Sequence, residues 1–279
     1  MISVSGLSFR YAGSAGLALD GVSLTVPDGG FLGVTGHSGS GKSTLLNAIN
    51  GVIPHHFTGD YYGSVTVDGR DTVETGIADL SRSVGSVLQD VESQMVASVV
   101  EDEIMFGLEN FGFGREEAER RLTEALDGVG AADLRERETD SLSGGQKQKV
   151  AIASVLALSP GILVLDEPTG ELDPVSSREI FKLLRRLNEE RGVTVVVAEQ
   201  KTQLLCEFAR ELAVMRGGGV VLNGPVRRVL GACGEMRRAG AGVPEFAELA
   251  GLLRERGLYY GDAPLNIDEA EIMVRSAAA

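Results

Sequence analysis

The sequence predicts an α/β fold with a mostly parallel core sheet, an N-terminal antiparallel β-subdomain and an inserted α-helical subdomain. Three observations carry that prediction. The phosphate-binding pattern G-x-x-x-x-G-K-[ST] occurs at Gly36-His37-Ser38-Gly39-Ser40-Gly41-Lys42-Ser43-Thr44. It follows the apolar run Phe31-Leu32-Gly33-Val34-Thr35, the order of strand, glycine-rich loop and helix that the pattern requires. The run Ile162 to Leu165 is apolar without alternation, as a parallel strand covered on both faces should be, and Val193 to Ala198 reads as the next buried strand. From Ser93 to about Ser154 the strand pattern gives way to helical periodicity.

Taken in order, Ile2-Ser3-Val4 and Val22-Ser23-Leu24-Thr25-Val26 alternate apolar and polar residues, and the second ends at the turn Pro27-Asp28-Gly29-Gly30. Both read as antiparallel strands. Between them lies Tyr11, either an ordinary strand aromatic or, at the mouth of a nucleotide site, a platform for a base. In the loop that follows, glycines at 36, 39 and 41 leave room for a phosphate against backbone N–H groups at the positive end of the helix Lys42 to Asn50. Lys42 adds a point charge, and the Ser43 hydroxyl is placed to ligate a Mg²⁺ bridging the phosphates. Ile53 to Gly59 reads as loop, and Ser64 to Asp68 as another alternating strand. His55 and His56 are adjacent rather than four apart, which disfavours a metal pair.

Val84 to Leu88 forms a further strand ending on Gln89, a linker residue or a polar group delivered to the phosphate-loop edge. Arg115 to Gly130 is amphipathic, with Ala118, Leu122, Ala125, Leu126 and Val129 on one face. Leu142-Ser143-Gly144-Gly145-Gln146 then opens a second helix whose N–H groups offer an anion site with no lysine or metal ligand of its own. The strand Ile162 to Leu165 ends in Asp166-Glu167, and adjacent carboxylates there are costly unless used. Asp166 is the candidate magnesium ligand, directly or through water, and Glu167 the candidate base that orients an attacking water. Asp173-Pro174 caps a helix from Val175 to Arg191 that Gly192 ends, and capping alone accounts for Asp173. Leu212 to Met215 and Val220 to Leu222 form a hairpin across Arg216 to Gly219.

Composition narrows the functions. A chain of 279 residues, 43% apolar, has ample core. A net charge of −14 argues against a long-lived nucleic-acid complex, which needs an excess of Lys and Arg. Cys206 and Cys233 lack metal or redox spacing and read as small buried thiols in a reducing compartment. Neither a basic, apolar leader nor a run of about 18 apolar residues is present; a protein that is neither exported nor membrane-spanning by itself is expected.

Over residues 1 to about 224 the chain resembles the nucleotide-binding subunit of ATP-binding cassette (ABC) transporters, whose fold is that of a P-loop NTPase. The motifs that carry the resemblance occur in order: the phosphate loop, Gln89, the signature Leu142 to Gln146, Ile162 to Glu167 with Pro168-Thr169, and Leu172-Asp173. The resemblance implies an ATPase with ATP and Mg²⁺ as cofactors, working as two subunits head to tail. Each ATP then lies between one subunit's phosphate loop and the other's Ser143, Gly144, Gly145 and Gln146. It further implies that Tyr11 stacks on adenine, that Gln89 senses metal and attacking water, and that Asp173 crosses the dimer seam.

A narrower resemblance runs from Leu88 to Ala97 and from Val99 to Asn110, which are similar to the ATPases of energy-coupling factor (ECF) importers of vitamins or metal ions. Residues 1–223 are then the ABC domain, with its helical subdomain at about 93–154. Residues 224–279 are then a C-terminal helical extension, which the resemblance implies helps hold the ATPase pair together and which otherwise reads as a surface helix covering the core edge. The implied partners are a second ATPase, a transmembrane coupling subunit and a solute-binding membrane subunit, at the cytoplasmic face of the cell membrane, with no nucleic acid. A soluble, non-transport ABC ATPase is the lesser alternative, and it lacks a long coiled-coil insertion or a basic surface.

One position departs from the family. Thirty-four residues after Asp166, where a histidine usually contacts the γ-phosphate, stands Gln200 in Ala198-Glu199-Gln200-Lys201. An amide donates a hydrogen bond but carries no charge. Slow hydrolysis at this chain's own phosphate loop, and a heterodimer in preference to a homodimer, are the expectations that follow. A nucleotide-binding subunit with weak turnover in such a pair is the limiting case.

Overall fold

The computed structural model describes residues 1–278; position 279, the last of the expected extension, lies outside the described residues. Ten strands form two sheets: β1 (Ile2–Tyr11), β2 (Leu19–Val26), β3 (Phe31–Thr35), β4 (Gly59–Val67), β5 (Arg70–Asp71), β6 (Val84–Val87), β7 (Ile162–Asp166), β8 (Thr194–Ala198), β9 (Glu211–Arg216) and β10 (Gly219–Pro225). The order β2-β1-β4-β5 makes an antiparallel sheet, and β10-β9-β3-β8-β7-β6 makes the core sheet, parallel except for the edge strand β10.

The core strands lack alternation because both of their faces are covered. In β8, Val195 and Val197 pack into the cluster formed with the helical subdomain and the C-terminal helices. Val196 and Ala198 pack into the opposite cluster, with the antiparallel sheet and the helix Lys42–Ile49. Successive side chains point to opposite faces, so β8 is apolar on both faces from Val195 to Ala198.

The insertion holds short helices at Val91–Gln94 and Val100–Asn110, the long helix Arg115–Val129, and Gly144–Leu156. Arg115–Val129 buries Ala118, Leu122, Ala125, Leu126 and Val129 and ends at Gly130 in the left-handed region, the stripe and stop that its periodicity predicts. Pro174–Arg191 is capped by Asp173 and closed by Gly192. Two expectations needed adjustment. Val52–His55, read as loop, makes a short helical turn with a non-helical Ile53, and β4 begins at Gly59 rather than Ser64. The early start of β4 reflects pairing with β1, in which Tyr11 lies opposite Gly59.

Helices at Val226–Leu230, Cys233–Arg238, Glu245–Glu255 and Ile267–Ala277 follow β10. Val229, Leu230, Met236, Phe246 and Ala247 join the same cluster as the core sheet, so these helices complete the core beside β9. The outer face mixes charged residues such as Glu255, Asp268 and Glu271 with exposed apolar ones: Leu252 is 53% exposed, Ile267 69% and Ile272 68%.

Candidate nucleotide site

Four parallel strands end side by side, and each hands the chain to a residue singled out by sequence. β3 runs into the phosphate loop, β8 into Glu199-Gln200, β7 into Asp166-Glu167 and β6 into Leu88-Gln89. The acidic strand β7 ends beside the phosphate loop, with β8 between it and β3. The helix Lys42–Ile49 bridges the gap, bringing Lys42 Nζ to 3.7 Å from Glu167 Oε1.

The loop is open because glycine is required in it. A Cβ at Gly36 would stand 2.3 Å from the Met215 carbonyl oxygen, and one at Gly41 2.7 Å from that of Ala18, with φ at +150° and +104°. Lys42 is buried and folds back on the loop, donating to the Gly36 and His37 carbonyls at 3.1 and 3.3 Å. A cleft of about 210 Å³ is lined by Ser38 and Gly39, Gly41 to Thr44, Gln89, Glu167 and Gln200. Ser40 is buried beneath the loop, its hydroxyl without a partner. His37 is exposed, with Nδ1 2.5 Å from the Ser38 carbonyl oxygen. Tyr11 reaches the same helix, its hydroxyl 3.1 Å from Thr44 Oγ1.

Glu167 is held from both sides. Gln200 Nε2 donates to its two carboxylate oxygens at 2.8 and 3.0 Å, and Gln89 Nε2 lies 3.5 Å from Oε2. Its backbone is in the left-handed region, φ 45°, and is fixed there by Glu167 N–H to Ala198 O at 2.9 Å and Gly170 N–H to Glu167 O at 3.0 Å. Such strain in a residue with a full side chain persists only where the surroundings over-determine it. The result is a preset carboxylate over the cleft.

Asp166 has a different environment. Its Oδ1 is buried without a hydrogen-bond partner, and burial, opposed by the Ser43 hydroxyl, pushes its carboxyl above the ordinary range. An orphaned carboxylate oxygen beside a hydroxyl is the donor set a hard divalent cation takes, with its remaining ligands from phosphate and water. Among the described residues no group of three or more His, Cys, Asp or Glu side chains could hold a metal.

Ser143-Gly144-Gly145-Gln146 does not line this cleft. Ser143 and Gln146 instead close a capping box on Gly144–Leu156: Ser143 N–H donates to Gln146 Oε1 at 2.9 Å and Gln146 N–H to Ser143 Oγ at 3.4 Å. The helix thus begins at Gly144, two residues inside the expected loop, and still presents its first N–H groups outward. Asp173 accepts from Val175 N and Ser176 N at 2.9 and 3.1 Å, and the Ser176 side chain first, then these backbone N–H groups, lower its carboxyl pKa. A larger cavity, about 660 Å³, separates Lys201–Gln203 from the C-terminal helices, but the phosphate-binding and carboxylate groups gather at the smaller cleft.

The family model described as "ABC transporter" matches residues 19–170. The chain belongs to the ABC transporter family. It is 43% identical over 258 residues to a putative ABC transporter ATP-binding protein of Pyrococcus abyssi, covering 92% of each chain. It is 40% identical to the energy-coupling factor transporter ATP-binding protein EcfA1 of Bacillus subtilis, covering 92% of this chain and 90% of that one. Its fold matches the structure of cbiO1 from Clostridium perfringens, part of the ABC transporter complex cbiONQ, with a TM-score of 0.76 at 31% identity, covering 89% of this chain and 97% of that one. The chain is an ATP-binding subunit and an ATPase of this family, with the P-loop fold that its sequence predicts.

Sequence reasoning missed two residues. Glu199, 1% exposed, accepts from Thr169 and from the amides of Gln200 and Lys201. Lys201 Nζ reaches the Thr169 and Leu172 carbonyls and Ser177 Oγ. Their one signal was a carboxylate directly after a strand buried throughout.

Proposed function

We propose that this chain powers import of a small solute, a vitamin or a metal ion, as one of two ATPases in an ECF-type transporter at the cytoplasmic face of the membrane. The observation that carries the reading is the division of the site. Phosphate loop, Glu167, Gln89 and Gln200 share one cleft, while Ser143 to Gln146 lies off it, closed in a capping box of its own. A second cassette facing this one head to tail would complete each site with the other's signature loop, and Asp173 would reach across the seam.

Within the cleft, the loop N–H groups and Lys42 bind the ATP phosphates, and Tyr11 offers a ring for adenine. Ser43 and Asp166 would hold Mg²⁺, which when bound offsets phosphate charge and fixes the nucleotide's geometry. Glu167 orients the attacking water and accepts its proton, and Gln89 and Gln200 keep that carboxylate aimed. Gln200 reaches the position by hydrogen bonding alone, without the charge an imidazole acquires, so turnover at this chain's own loop is slow. A heterodimer follows as the favoured pair.

Among the described residues no helix is long and apolar enough to cross a membrane, so transport requires membrane partners: a coupling subunit and a solute-binding subunit. The exposed Leu252, Ile267 and Ile272 of the C-terminal helices suit residues 224–279 to holding the ATPase pair together. The test is purification of the tagged chain from its own host's membranes with mild detergent. A second ATPase and a multi-span protein should copurify in fixed ratio; a chain recovered alone from the soluble fraction would refute the reading.

A further inference from the structure

Three consecutive residues after β8 each grip the loop after β7. Glu199 takes Thr169 Oγ1 at 2.6 Å and Thr169 N–H at 3.3 Å on one carboxylate oxygen, and the N–H groups of Gln200 and Lys201 at 2.9 and 3.3 Å on the other. Gln200 holds Glu167. Lys201 Nζ donates to the carbonyls of Thr169 and Leu172, the latter at 2.9 Å, and to Ser177 Oγ at 3.0 Å. Glu199 is buried, and among the described residues no cationic side chain comes within the 4.0 Å of an ion pair, a costly arrangement that persists because amides and a hydroxyl satisfy it.

The gripped loop in turn supports the signature segment of the same chain. A Cβ on Gly144 would meet Leu172 Cδ2 at 3.1 Å, and one on Gly145 would meet Ser176 Cβ and Oγ at 3.3 Å. Hydrogen bonds thus tie Lys201, next to Gln200 at the cleft, to Leu172, whose side chain lies close enough to Gly144 that a Cβ there would crowd it.

From this geometry we infer that Glu199 and Lys201 are positioning residues that fasten this chain's own nucleotide site to its own signature loop. The inference rests on the paired-ATPase reading above. When γ-phosphate is gained or lost at Gln200 and Glu167, the segment 169–172 moves with them and re-aims Gly144, which serves the partner's ATP. Coupling of the two ATP sites thus begins inside one subunit. Packed loops with short bonds transmit such shifts only if both ends respond to the same ligand, and that is measurable.

The test uses the full chain with Lys201→Met, Thr169→Val and the hydroxyl-retaining Thr169→Ser. Single-turnover phosphate release should fall about ten-fold in the first two and recover in Thr169→Ser, as a small misplacement of reacting groups requires. ATP Kd should stay within about two-fold of wild type, because the phosphate loop is untouched. Hydrogen exchange supplies the readout that a loss of folding would not mimic, at a dilution where light scattering reports single chains. ATP should slow exchange in both 36–44 and 142–147 of wild type, but only in 36–44 of Lys201→Met. Wild-type rates in both variants, or a segment 142–147 that ignores ATP in wild type or responds equally in Lys201→Met, would overturn the inference. Unchanged phosphate release in Glu167→Gln would instead defeat the underlying reading of the site.

Discussion

Replacing Gln200 by Leu removes the two shortest bonds to the Glu167 carboxylate, 2.8 and 3.0 Å, and leaves Gln89 at 3.5 Å and Lys42 at 3.7 Å. A hydrogen bond to a charged group contributes about 1.5–3 kcal/mol net. Gln200 is exposed, so water replaces part of what is lost and the lower end applies, about 1.5 kcal/mol. If the carboxylate must be re-aimed in the transition state, that converts to roughly a ten-fold slower chemical step. The assay is single-turnover release of phosphate from labelled ATP with the chain in excess, alongside equilibrium binding of a fluorescent ATP analogue. The rate should fall about ten-fold with Kd changed by less than about three-fold, the pattern of an interaction used in the transition state. An unchanged rate, or a loss seen wholly in Kd, would refute the reasoning.

Asp166→Asn should abolish hydrolysis yet raise the melting temperature without nucleotide. Because the folded protein holds this carboxyl above its unfolded pKa, wild type loses stability as pH rises through the folded value. The variant should therefore melt above wild type at pH 7 by calorimetry, the gap closing as pH falls toward the ordinary aspartate value of about 4. Gly36→Ala places a methyl 2.3 Å from the Met215 carbonyl oxygen; ATP binding measured by titration calorimetry should be lost even where circular dichroism still shows a folded chain. Glu103, 7% exposed, accepts from Val96 N and Ala97 N at 2.8 Å each, so Glu103→Ala should cost about 2 kcal/mol in urea unfolding and Glu103→Gln less.

The parts of this molecule legible in sequence were those with a local cause. The phosphate loop needs glycine at fixed places, the helix Arg115–Val129 repeats every 3.6 residues, and Asp173, Pro174 and Gly192 mark the ends of their helix. What escaped reading depends on strand order. Nothing local to Asp166-Glu167 says that β8 intervenes before the phosphate-loop strand, nor that Gln200 therefore stands between the loop and Glu167. The roles of Glu199 and Lys201 were invisible for the same reason, since their partners at Thr169 and Leu172 lie about thirty residues away along the chain. The C-terminal helices were recognisable as helices and, on one reading, as a cover for the core edge, but which of their residues enter the core follows from tertiary packing alone.

The measurement that tests the account most directly is phosphate release by the purified chain with ATP and Mg²⁺, comparing wild type with Gln200→His and Glu167→Gln. The account predicts slow release by wild type, faster release by Gln200→His as charge is restored beside the γ-phosphate, and none by Glu167→Gln. Wild-type turnover near one per second that Gln200→His leaves unchanged would contradict it and make a homodimeric motor the better description.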